Sequence, residues 1–133
     1  MIITMAKVFG VIFLLVGILG FVPGVTNNGH LLGIFHVNAA HNLVHIVTGV
    51  AALIAAGISY RAARNYFRIF GLIYGLVAVL GFVTGGTEPL LGIIANNTAD
   101  NWLHAVIAAV SLALGFAPEH VLQMKSRAPS GPV

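Results

Sequence analysis

Cysteine is absent from the 133 residues, which excludes disulfides, thiolate metal sites and cysteine nucleophiles and leaves the redox compartment open. Charge is nearly absent too. Six Lys or Arg and three Asp or Glu make up 7% of the chain, against about 25% in soluble globular proteins. From Val8 to Tyr60 there is no Asp, Glu, Lys or Arg, and charge-free runs also cover Ile69 to Thr87 and Asn101 to Pro118. Apart from a cluster of histidine, aspartate and asparagine there is no phosphate-binding glycine loop, nucleophile-base arrangement or acidic metal site, so the expectation is that the protein is not an enzyme. What is there is apolar: 59% hydrophobic residues and a mean hydropathy of +1.00 describe an integral membrane protein.

The apolar runs predict four helices, about Ile2 to Val22, Ala39 to Tyr60, Tyr66 to Gly85 and Thr98 to Ala117. Each is near the roughly 20 residues a spanning helix needs. The first resembles a secretory signal peptide in having one lysine before an apolar run, but its match to the third helix argues that it belongs to the fold. Lys7, then Arg61, Arg64 and Arg68, then Lys125 and Arg127 fall at the N-terminus, in an expected middle loop and in the C-terminal tail. The loops Pro23 to Asn38 and Gly86 to Asn97 carry no Lys or Arg. Four crossings and the positive-inside rule then place both termini in the cytoplasm. The pI near 9.8 comes from these flanks and suits anionic lipid, with no need for nucleic acid. Residues 1–118 form the expected transmembrane domain, and 119–133 a cytoplasmic tail whose Pro-, Ser- and Gly-rich end is expected to be disordered.

An internal repeat organises the spans. Phe9-Gly10 through Gly20-Phe21-Val22 returns as Phe70-Gly71 through Gly81-Phe82-Val83, and Leu31-Leu32-Gly33-Ile34 as Leu90-Leu91-Gly92-Ile93. Asn38-x-x-His41-Asn42-x-x-His45 returns as Asn97-x-x-Asp100-Asn101-x-x-His104. The expected fold is all-α, an integral membrane four-helix bundle of two tandem two-helix repeats, about 2–60 and 66–117. The repeats run parallel, related by an axis along the membrane normal. Gly10, Gly17 and Gly20 recur as Gly71, Ala78 and Gly81, small residues that let helices one and three pack closely. The external loops are unusually apolar and are expected to lie on the bundle as lids, since exposed backbone cannot enter lipid unpaired. Trp102, Tyr60 and Tyr66 are expected at helix ends as interfacial anchors.

The polar residues of the repeat are the candidate site. Asn38 and Asn97 precede helices two and four as N-caps, with Asp100 in a capping-box position and His41 in the corresponding place. His41 and His45, like Asp100 and His104, are four apart and share a helix face. Asn42 and Asn101 add a matched pair. His45 and His104 lie about 10 Å inside their helix starts, where an ionisable residue faces the bundle interior and has a partner. One reading is structural, with this polar cluster fastening the loops to the bundle. A second is ligation: a metal at His41, His45, Asp100 and His104, or haem or chlorophyll at His45 and His104. A third is proton or solute handling, weakened by the lack of a carboxylate near any helix middle. His30, His36, Glu88, Glu119 and His120 are expected to be solvated.

The Val11 to Gly24 run, the Leu31 to His45 run and Asp100-Asn101-Trp102-Leu103-His104 resemble the domain of unknown function 4383, a family of small bacterial four-helix membrane proteins. The resemblance covers about Lys7 to Phe116 and implies the same topology, in a bacterial cytoplasmic or internal membrane, but no activity and no catalytic residue. The expectation for function is a non-enzymatic accessory or scaffold subunit of a larger membrane assembly, touching lipid and other membrane subunits or its own copies. The alternative is a cofactor-binding protein using the paired histidines.

Overall fold

The computed structural model describes residues 1–123. Lys125, Arg127 and the expected disordered tail lie outside the described residues. Four long helices, α1 (Ile2–Leu19), α2 (Ala39–Ile58), α3 (Tyr60–Val83) and α4 (Thr98–Phe116), alternate up and down, with a short α5 (Glu119–Gln123) after Pro118. All four long helices are sufficiently apolar and extended to cross a membrane.

Glycine governs packing inside each consecutive pair. A Cβ on Gly10 would stand 2.9 Å from the Gly49 carbonyl, and one on Gly17 2.8 Å from the Asn42 carbonyl, so α1 lies on α2 with backbones nearly touching. The same closeness joins α3 to α4, where a Cβ on Gly71 would meet the Leu112 amide nitrogen at 2.9 Å. Aromatic rings join the two pairs. Phe9 meets Phe67 edge-on at 5.1 Å, and Phe13 meets Phe70 at 5.3 Å and Tyr74 at 5.7 Å, geometries favoured by the ring quadrupole. Below them Ile2, Ala6, Ala56, Ala63 and Phe67 close one end of the bundle.

Two boundaries and the place of one aromatic residue differ from expectation. The supposed middle loop is helical: Ser59 alone separates α2 from α3, and its Oγ accepts the Ala62 amide at 3.0 Å as an N-cap. Arg61 and Arg64 stand in a run of strong helix formers, so their charge marks the membrane edge and not a break in helix. The first helix stops at Leu19, short of Val22, with the Thr26 hydroxyl donating to the Leu19 carbonyl at 3.0 Å. Tyr66 lies well inside α3, stacked on Phe70 at 5.1 Å with its hydroxyl donating to the Thr48 carbonyl at 3.3 Å, so it is not an end anchor.

The loop after α1 contains a small antiparallel meander, β1 (Thr26–Asn27), β2 (His30–Leu31) and β3 (Phe35–His36), too short to register in the sequence pattern. The α1–α2 and α3–α4 loops turn alike. Leu32-Gly33 and Leu91-Gly92 have positive φ throughout, at 53°, 72°, 54° and 75°. The turns close with Ile34 N–H to Leu31 O at 3.0 Å and Ile93 N–H to Leu90 O at 3.2 Å. Leu31 and Leu90 are buried in the bundle, while Leu32 and Leu91 at the tips are exposed.

Candidate functional site

The polar belt is built from the starts of α2 and α4, beside the two long loops. Asn38 caps α2 by accepting the His41 amide at 2.9 Å. Asn97 caps α4 by accepting the Asp100 amide at 2.9 Å, and Asp100 Oδ2 accepts the Asn97 amide in return, completing a capping box. Both caps also reach across to the other helix pair. Asn38 Nδ2 donates to Ile93 O at 2.9 Å, and Asn97 Nδ2 donates to Ile34 O at 2.7 Å. Each cap thus holds the loop belonging to the other pair.

His41 and Asp100, each three residues past its cap, complete the clasp with opposite polarity. Asp100 Oδ2 also accepts the His36 amide at 3.1 Å, whereas His41 Nδ1 donates to Ala95 O at 2.7 Å. Asn42 and Asn101 are buried beneath the glycines at 20 and 81, where even a methyl group would strike the amide. Asn101 Oδ1 accepts from Asn96 Nδ2 at 2.8 Å. Asn96 was not a sequence candidate because the corresponding loop position in the first half is Val37; only its place beside Asn97 hinted at it.

Three of the four candidate ligands converge. His41, His45 and His104 are all buried, and each offers one nitrogen such that the three lie within 4.8 Å of one another. His41 Nε2 and His45 Nε2 are 3.1 Å apart. Nδ1 of His45 and Nδ1 of His104 are buried with no partner. Asp100 is engaged with backbone amides and is not in this group. Tyr74, another residue absent from the sequence candidates, presents its ring to His104 edge-on at 5.3 Å, and a cavity of about 160 Å³ lies against Tyr74 and the three imidazoles. His30 and His36 stack on each other at 5.0 Å in the loop and take no part in the cluster. Glu119 remains largely exposed while pairing with Arg64 at 3.0 Å.

Four apolar spans with an inward belt of asparagine and histidine define a small helical membrane protein in contact with the bilayer. The chain belongs to the family described as domain of unknown function (DUF4383), whose model matches residues 4–117. No curated protein and no solved structure matches it.

Proposed function

We propose that the chain is a non-enzymatic accessory or scaffold subunit of a larger membrane assembly, built as an internal duplication with its basic end in the cytoplasm. The observation that carries this reading is the division of its surface. Only 28% to 33% of the most apolar window of each span is inside the bundle. The outer faces are rows of large apolar residues, such as Val47, Ile54 and Ile58 on α2 and Ile69, Leu72, Leu76 and Val79 on α3. Asn38, Asn97, His41 and Asp100 hold the two long loops, so the described residues present wide greasy helix faces and little mass outside the helices. Such faces suit packing against lipid and against other spanning helices. The duplication is supported by repeated contacts: Gly10 with Leu53 and Gly71 with Leu112, and the crossed bonds of Asn38 and Asn97.

Purification from native membranes in a mild detergent tests the role. Co-migration with larger membrane subunits, or as a defined homo-oligomer, is expected; recovery solely as a monomer under every mild condition would refute it.

A further inference from the structure

The geometry points to a single first-row transition-metal ion, zinc or copper, held between α2 and α4 by His41, His45 and His104. This is independent of the accessory role, since a structural ion suits a scaffold as well as any other protein.

The nitrogen separations support an ion. Two ligands about 2.0–2.1 Å from one zinc at a tetrahedral angle stand roughly 3.3 Å apart, and His41 Nε2 and His45 Nε2 are 3.1 Å apart. The third imidazole nitrogen is within 4.8 Å of both, so it has at most about 1.5 Å to close to reach that tetrahedral spacing. The three come from two helices that are held in register by the crossed asparagine bonds one turn above.

The hydrogen bonds orient the donors. Ala95 O receives the proton on His41 Nδ1, so a neutral His41 turns the lone pair on Nε2 toward the other rings. A backbone carbonyl on the far nitrogen is the usual outer-shell partner of a ligating histidine. His45 in its Nδ1–H form presents Nε2 in the same direction, and that tautomer exchange leaves no net proton to dispose of. Buried polar nitrogens ordinarily have partners, yet Nδ1 of His104 is buried and unpartnered in a wall of phenylalanine, tyrosine and leucine. Neutral imidazoles without thiolate or carboxylate suit zinc and copper better than magnesium or calcium. The adjoining cavity of about 160 Å³ is well under the roughly 300 Å³ floor of pockets for drug-sized ligands, and the 3.1 Å approach of two imidazoles leaves room for an ion but not for a macrocycle.

The test uses the full chain in detergent, stripped with chelator and dialysed against Zn²⁺ or, under reducing conditions, Cu⁺. One equivalent of at least one ion is expected. His45→Gln and His104→Gln should each weaken binding by more than about 100-fold, because even outer-shell partners are worth roughly 10- to 100-fold. The His30→Gln/His36→Gln double variant should bind as the parent does. X-ray absorption on the loaded parent protein, which does not depend on any variant folding, should count three imidazoles. No binding of either ion, binding that survives loss of His45 and His104, loss in the loop variant, or fewer than three imidazoles would each overturn the site.

Discussion

His41 and Asp100 stand at the same distance from their N-caps, and the backbone group each meets explains why one is a donor and the other an acceptor. His41 faces a carbonyl, Ala95 O, whereas Asp100 faces the amides of His36 and Asn97. His41→Asp would set a carboxylate against a carbonyl oxygen, and Asp100→His would leave buried amides without their acceptor. Each exchange should cost at least about 1–3 kcal/mol, the penalty of an unsatisfied buried group, read by thermal unfolding in detergent. The double exchange should not recover stability, because the backbone polarity stays where it was. Recovery to the parental transition would contradict this account. From the sequence, the four-residue spacing showed that these side chains share a helix face. The Asn97-x-x-Asp100 capping-box spacing did turn Asp100 to the backbone of its own cap, but it did not show the bond to the His36 amide or that His104 joins the two histidines of α2, since those contacts depend on loop and helix placement that no periodicity encodes. Asn96 and Tyr74 stayed hidden because neither belongs to the repeated motif.

Among the helices, glycine spacing is informative about closeness but silent about the neighbour. The repeat announced a small-residue face on α1 and α3; that the face meets the next helix in the chain, while Phe9, Phe13, Phe67 and Phe70 bridge the two pairs, is set by which surfaces fill space best. Two glycines of α2 separate packing from propensity. A Cβ on Gly49 would stand 2.8 Å from both the Gly10 carbonyl oxygen and the Leu14 amide nitrogen, backbone atoms that cannot step aside, whereas one on Gly57 meets nothing within 4 Å. Gly49→Ala should therefore destabilise by about 1–3 kcal/mol through overpacking. Gly57→Ala should be neutral or gain up to about 1 kcal/mol from helix propensity. Unfolding of the two variants in the same detergent checks the contrast, and equal effects would show that helix propensity governs both sites. The ends of α4 follow a related logic. Its last carbonyls receive Arg64 Nε and Arg68 Nε at Gly115 O, 3.0 and 2.8 Å away, and Arg64 Nη2 at Ala117 O, 2.7 Å away. These cations suit the negative end of the helix dipole. A sequence reading that placed Arg61 and Arg64 in a loop had their charge right and their conformation wrong, because basic residues mark a membrane edge whether or not the helix continues through it.

Across the whole molecule, every Lys and Arg among the described residues gathers at one end. Lys7 lies in the first turns of α1, whose Ile2 and Ala6 pack with Ala56, Ala63 and Phe67, and Arg64 and Arg68 hold the end of α4. The opposite end carries the clasped loops, where Glu88 is the charged residue outside the helices. With four spans, the N-terminal end of α1 and the C-terminal end of α4 share a side, and the positive-inside rule predicts that this side faces the cytoplasm. A reporter fused after Val133 should be active only in its cytoplasmic form, and a single cysteine introduced at Glu88 should react with an impermeant thiol reagent applied from outside intact cells. Because the chain has no cysteine of its own, labelling at that position is free of background. Replacing Arg61, Arg64 and Arg68 together with Gln should produce a mixed orientation, since it removes the central basic cluster from the retained side. Labelling of Glu88→Cys from the cytoplasmic side in the parental background would show instead that the apolar clasped loops, and not the arginines, decide which way the bundle faces.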